Sequence, residues 1–341
     1  MNDSVLILLS FITISNAFNA SQDVYYELYT NDQPLTHFHN LLTINNDNNR
    51  SEPIAQSPFN CNRPTRIYVH GYRSKRKNFV KYAEAYRSKG DFNFIAVNWL
   101  AGSQTLNYYK ARNRVKIIGE ELALLIENLV RYNQLNLSDV ILIGHSLGSH
   151  IVGIAAKRIQ SGRIPIIVGL DPAYPLFSKS KHDERLSYTD ADYVQVIHTS
   201  IGQLSIPYPI GHADFYPNYG RDQPGCSKKS FQGPVNVLEM PDIQFASDFI
   251  TTGFCSHSRA HYLFVESLTH NCFLATKCGS YNEIEHKNCT SSGPNVFMGG
   301  EVDQLLTATE GIYYLRTNSE EPYGMNCSVA NHSNDNDELR N

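Results

Sequence analysis

The sequence predicts an α/β fold, a mostly parallel central sheet with helices on both faces, and three observations carry that reading. Apolar strand-like runs recur through the first two-thirds of the chain. Helical patterns separate them. The runs are rich in Ile and Val without alternation, as strands buried on both faces are.

The strand-like runs are "TRIYVHG" (65–71), "FNFIAVNW" (92–99), "DVILIG" (139–144), "RIPIIVGLD" (163–171) and "DYVQVIHT" (192–199). Between the second and third, Val115, Ile118, Leu122, Leu125 or Ile126, and Leu129 keep the spacing of one helix face. Another helix reads from Ser149 to about Gln160. The basic run "YRSKRKNFVK" (72–81) reads as a solvated loop, and so does "NNDNNRS" (45–51). The tail 328–341, polar and low in apolar residues, is expected to be disordered.

The 341 residues are 41% hydrophobic and 18% charged, enough to bury a sizeable core. With 29 Lys and Arg against 33 Asp and Glu, the chain lacks the electrostatic footprint of a nucleic-acid binder. The apolar stretch Val5 to Ile14, followed by Ser15, Ala17 and Ala20, reads as a cleaved signal peptide over 1–20; cleavage after Ala17 or Ala20 fits. That stretch is too short to span a bilayer, and no later segment reads as a transmembrane helix. Five glycosylation sequons, at Asn49, Asn136, Asn288, Asn326 and Asn331, agree with a secreted, extracellular protein. Seven cysteines then imply disulfides with one thiol left over. Six of them fall in the last third, and no Cys-x-x-Cys pair suggests zinc.

The most informative stretch is "DVILIGHSLGSH" (139–150), in which Gly144-His145-Ser146-Leu147-Gly148 sits where a strand gives way to a helix. A G-x-S-x-G turn in that context lifts the serine hydroxyl to the carboxyl end of the sheet, beside the positive end of the following helix. The glycines leave room for strand and helix to pass closely. A serine hydroxyl is a weak nucleophile at neutral pH and needs a base, and the base needs an orienting acid. Asp171 follows "IPIIVGL" at the carboxyl end of a further strand, where open α/β sheets place their sites. An acid there could equally cap a helix or stabilise the turn at Pro172. Thirteen histidines make the base hard to choose. His257, beside Cys255, is the leading candidate, and His198, His212 and His261 stay open.

At these residues the chain resembles the pancreatic-type lipases, with their insect members and phospholipases A1, within the α/β-hydrolase superfamily. The resemblance runs from about Tyr25 to Arg316 and rests on "YVHGY", "IGHSLGSHIVG", "GLDPAYPLF", "VIHTS", "CSHSRAHYLFVESL" and "YYLRTN", in that order. It implies Ser146 as nucleophile, Asp171 as acid and His257 as base, with an oxyanion hole from the N–H groups of Tyr72 and Leu147. It also implies a lipase domain over 21–327 and a lid loop between Cys226 and Cys255. The disulfides it implies are Cys226–Cys255 and Cys278–Cys289, with Cys272–Cys327 by elimination and Cys61 free.

Departures from the family pattern are informative too. No C-terminal β-sandwich domain of the kind larger relatives carry is expected. Asn98 stands where the family often has Asp before Trp99, and Ser291 and Ser292 follow Cys289 where a cysteine partner is expected. The family's calcium loop is matched at Arg185 and Asp190, but Ser187 replaces an acid, so no cofactor is expected.

The expected substrate is a glycerolipid or phospholipid at an interface. The lid is long, as in neutral-lipid lipases, whereas the segment from Ser200 to Ile210 is short, as in phospholipases A1. A non-catalytic lipid or hormone carrier resembling yolk proteins, and a structural glycoprotein on the same scaffold, are the competing readings. Neither needs Ser146, Asp171 and His257 together.

Overall fold

The computed structural model describes residues 18–34, 39–40, 57–177, 181–226, 244–301 and 309–325, with backbone alone at 39–40 and 244–253. The leader to residue 17, the lid segment 227–243, the tail, Asn49, Asn326, Asn331 and Cys327 lie outside them. So do the lid side chains up to residue 253.

The strands are β1 (Tyr25–Tyr29), β2 (His39–Asn40), β3 (Thr65–Val69), β4 (Asn93–Asn98), β5 (Val140–His145), β6 (Ile166–Leu170), β7 (Tyr193–Ile197), β8 (Ala213–Pro217), β9 (Leu274–Cys278), β10 (Val296–Phe297) and β11 (Gly311–Leu315). They form one sheet in the order β10-β9-β11-β8-β7-β6-β5-β3-β4-β1-β2. From β4 through β3, β5, β6, β7 and β8 to β11 every pairing is parallel. Pairings outward from β4 to β1 and from β11 to β9 are antiparallel. Parallel neighbours bring the carboxyl ends of β5, β6 and β7 to one edge, and the chemistry gathers there.

The helices are α1 (Ala20–Asp23), α2 (Lys77–Lys89), α3 (Leu100–Ser103), α4 (Tyr108–Asn133), α5 (Leu147–Arg158), α6 (Gln244–Thr269) and α7 (Tyr281–Glu285). Helix α4 buries Val115, Ile118, Leu122, Leu125, Ile126 and Leu129, so both residues at the ambiguous step face inward. With α5 it covers one face of the sheet. Helices α2 and α6 cover the other, packing Phe79, Tyr82, Tyr86, Leu263 and Phe264 against β3, β4 and β6. Two covered faces explain the uninterrupted apolar strands.

The basic run 72–81 is not a loop throughout. From Lys77 it is the first turn of α2, because Phe79 and Tyr82 supply an apolar face that the surrounding lysines conceal. Packing also begins earlier than residue 21. Phe18 lies under the Arg114 guanidinium at 4.5 Å, Asn19 caps α1 and Ala20 is buried. In the last third, disulfides join Cys226 to Cys255 and Cys278 to Cys289; Cys272 is also disulfide-bonded and Cys61 is a free thiol.

Candidate active site

Ser146 ends β5 and caps α5 with φ 59° and ψ −121°, a left-handed conformation that a side chain adopts only under constraint. Close packing supplies the constraint. A Cβ on Gly144 would lie 2.4 Å from the Gly148 carbonyl oxygen, and one on Gly148 would lie 2.1 Å from that of Val69. Strand, turn and helix thus approach as only glycines permit. Ser149 Oγ donates to the Gly144 carbonyl at 2.7 Å and closes the turn.

Asp171 lies immediately past β6, fully buried and also at positive φ. His257 Nδ1 lies 2.6 Å from its Oδ2. Oδ1 accepts the N–H groups of Thr199 and Ser200, and Oδ2 accepts the Ser200 hydroxyl. Burial works to raise this carboxyl, but the hydrogen bonds from His257, Ser200 and Thr199 outweigh it and hold the group below the usual carboxylate range. The acid is therefore ionised at neutral pH and fixes the imidazole with a proton on Nδ1. Nε2 of His257 is left without a protein partner among the described residues.

Of the other candidates, His198 and His212 are held by hydrogen bonds, whereas His261 has a buried Nδ1 without a hydrogen-bond partner. His198 has Nδ1 3.0 Å from the Ile206 carbonyl and Nε2 2.8 Å from Asp214. His212 Nδ1 accepts the Val194 N–H at 3.0 Å. His261 is buried against His145 and Tyr262, and burial depresses it well below the ordinary imidazole range. His145 donates from Nε2 to the His257 carbonyl at 3.0 Å, with the two rings 4.7 Å apart. Burial pulls His145 down to about 3, so it stays a neutral donor and ties the nucleophile turn to α6.

Tyr72 and Leu147 bring two backbone N–H groups to the serine. Leu147 opens α5, where N–H groups lack intrahelical acceptors. A Cβ at Gly71 would meet Ser146 Cβ at 2.4 Å, so the Gly71–Tyr72 peptide runs directly beside the nucleophile. His70 sets the tilt of that peptide. Its Nδ1–H donates to the Gly71 carbonyl at 2.9 Å while Nε2 accepts the Trp99 N–H at 3.2 Å. Carbonyl and N–H oppose each other across one rigid peptide unit, so pinning the Gly71 oxygen aims the Tyr72 N–H. Burial lowers His70 to about 4 and keeps it neutral. Neither N–H has a protein acceptor among the described residues.

Comparison with known families shows which family the chain belongs to. The family model described as "Lipase" matches residues 10–323. The chain belongs to the lipase family. A relative named lipase member H-A from Xenopus laevis is 36% identical over 77% of this chain and 52% of its own length. Pancreatic triacylglycerol lipase from Myocastor coypus is 33% identical over 85% of this chain and 64% of its own. Phospholipase A1 from Vespa crabro is 32% identical over 85% of this chain and 90% of its own. The chain thus spans between half and two-thirds of the length of the first two relatives and most of the third. Its fold is a mostly parallel sheet with helices on both faces.

Sequence reasoning brought Ser146, Asp171 and His257 to attention but missed Thr199, Ser200, His70 and His145. The "VIHTS" segment carried the signal for the first two, since it ends a strand beside Asp171. The lipase chain's Asn98 has a local reason. Its Nδ2 donates at 2.7 Å to Glu27, a buried carboxylate also bonded to Tyr29 and Arg76. An Asp at 98 would set two carboxylates face to face.

Proposed function

We propose that this chain is a secreted serine lipase, cleaving the outer acyl esters of neutral glycerolipids and phospholipids through an acyl-enzyme. The observation that carries the reading is His257, held through Nδ1 by buried Asp171 with Nε2 free, beside a serine at positive φ. In this mechanism Nε2 takes the Ser146 proton as Oγ attacks the ester carbonyl. The oxyanion accepts the N–H groups of Tyr72 and Leu147, each worth roughly 3 kcal/mol at comparable sites. The leaving alcohol takes the proton from Nε2, and water reverses the sequence to free the fatty acid.

No helix among the described residues is long and apolar enough to cross a membrane. The apolar leader, the two disulfides and the exposed sequons Asn136 and Asn288 support secretion. The packing of Phe18 to Ala20 favours leader removal after Ala17, so the mature N-terminus should be Phe18. N-terminal sequencing that returns Ser21 would contradict this. A carrier that binds lipid without cleaving it has no use for a buried, hydrogen-bonded Asp171 beneath a free imidazole nitrogen. The decisive assay measures fatty acid release from triacylglycerol and phosphatidylcholine emulsions by the wild type and Ser146→Ala. Release from both, lost in the variant, supports the reading; no release from either removes it.

A further inference from the structure

The calcium loop implied by family resemblance runs through Arg185, Ser187 and Asp190, and a side chain of this protein fills its centre. Lys157, in the last turn of α5, places its ammonium 2.6 Å from Asp190 Oδ2 and donates to the Arg185 carbonyl at 3.0 Å. Those are the two matched groups. A calcium ion needs six or more oxygens at about 2.3–2.6 Å, with carboxylates supplying much of the affinity. An ion touching both oxygens would occupy the space of the Lys157 nitrogen. Ser187 offers only a hydroxyl, and that hydroxyl is engaged by the Asp190 N–H in a capping box. These residues do not fit calcium.

The same segment docks on one stripe of the helix that begins at the nucleophile. His150 Nδ1 accepts the Leu186 N–H at 3.1 Å while its Nε2 donates to the Ala173 carbonyl at 2.7 Å. At Gly153, a Cβ would meet Asp190 Oδ2 at 2.7 Å and Leu186 Cα at 2.9 Å. Residues 150, 153 and 157 share a helix face by their spacing. Lys157 is thus the third and only charged point of the dock, and the Asp190 carboxylate it meets is 1% exposed.

We propose that Lys157 is a built-in cation, replacing a divalent ion and clamping the Arg185–Asp190 segment to the nucleophile helix without metal. This inference goes beyond ester hydrolysis and is read without an activity assay, so the two can fail separately. Thermal midpoints and equilibrium dialysis against calcium test it. Wild-type protein should bind no calcium at millimolar concentration and keep one midpoint in calcium or chelator. Lys157→Met strands a buried carboxylate and should lower the midpoint by roughly 5 °C. Lys157→Met with Ser187→Asp should recover much of that loss when millimolar calcium is added. Should Lys157→Met fail to fold, the wild-type dialysis and the double variant purified in calcium decide. One calcium bound by the wild type, or Lys157→Met as stable as the wild type, would overturn the proposal.

Discussion

Two histidine–aspartate pairs lie close together in the fold, linked where Thr199, next to His198, donates to Asp171, and they are built for opposite ends. His257 and Asp171 meet at the carboxyl edge of the sheet, 2.6 Å apart, beside Ser146. His198 and Asp214 meet within the sheet, 2.8 Å apart, with both side chains buried. Both carboxylates are well served, since Asp214 also accepts the N–H groups of Ile210 and Gly211. The difference is the second ring nitrogen. In His198 it lies 3.0 Å from the Ile206 carbonyl, so both ring nitrogens are held by protein groups. In His257 it has no hydrogen-bond partner among the described residues. Under the proposed mechanism the base is the imidazole that has an ionised acid on one nitrogen and the other nitrogen open to the serine.

Replacing each histidine breaks the comparison most forcefully. His257→Ala should cost on the order of 10³-fold or more in kcat, and by stranding buried Asp171 it should lower the thermal midpoint as well. His198→Ala should cost stability without the kcat loss. Stranding Asp214 should cost roughly 3–5 kcal/mol of stability, read by urea unfolding, with turnover per folded molecule down less than tenfold. A large kcat loss in folded His198→Ala would make the inner pair part of the chemistry.

Acid sharpens the contrast between engaged and free imidazoles. His70, His145 and His150 are depressed to about 4, 3 and 3 by burial, against an unfolded value near 6.5. Below pH 6.5 the unfolded chain binds protons that the folded chain refuses. Stability therefore declines from pH 6.5 toward 4, by about 1 kcal/mol per pH unit for each histidine, and is flat above 7. Asp171, depressed by its hydrogen bonds, adds a loss in the same direction at lower pH, as its folded carboxyl takes up a proton. Urea midpoints between pH 7 and 5 check the slope, and His150→Gln should make it shallower.

The smallest effect concerns the hydroxyl behind the acid. Ser200→Ala removes one donor from Asp171 and should lower kcat/KM about fivefold, the worth of one modest hydrogen bond. An unchanged value would make Ser200 a packing residue.

Much of this was legible in the sequence because the relevant signals are local. The Gly144-to-Gly148 turn, the Ile- and Val-rich strands and the long face of α4 each declare themselves within a dozen residues. What escaped depends on partners far away in the chain. Helix α2 hid behind lysines because its apolar face, Phe79, Tyr82, Ala83, Ala85 and Tyr86, is interleaved with charges. Strand β9 is buried at only two of its five positions and β10 spans two residues, so these carry little apolar signal. His198 and His257 both follow family-like segments, and spacing cannot say which one has an unoccupied nitrogen. Lys157 reads as a solvated helix-end lysine until Asp190 is folded against it.

The claim that His257 alone activates Ser146 has one most direct measurement. Each purified protein is treated with an active-site phosphonate ester, and the rate and site of labelling are read by mass spectrometry. The account predicts a single adduct on Ser146 in the wild type, near-normal labelling in folded His198→Ala, and labelling slowed about a thousandfold in His257→Ala. Undiminished labelling of Ser146 in His257→Ala, or its loss in folded His198→Ala, would contradict it.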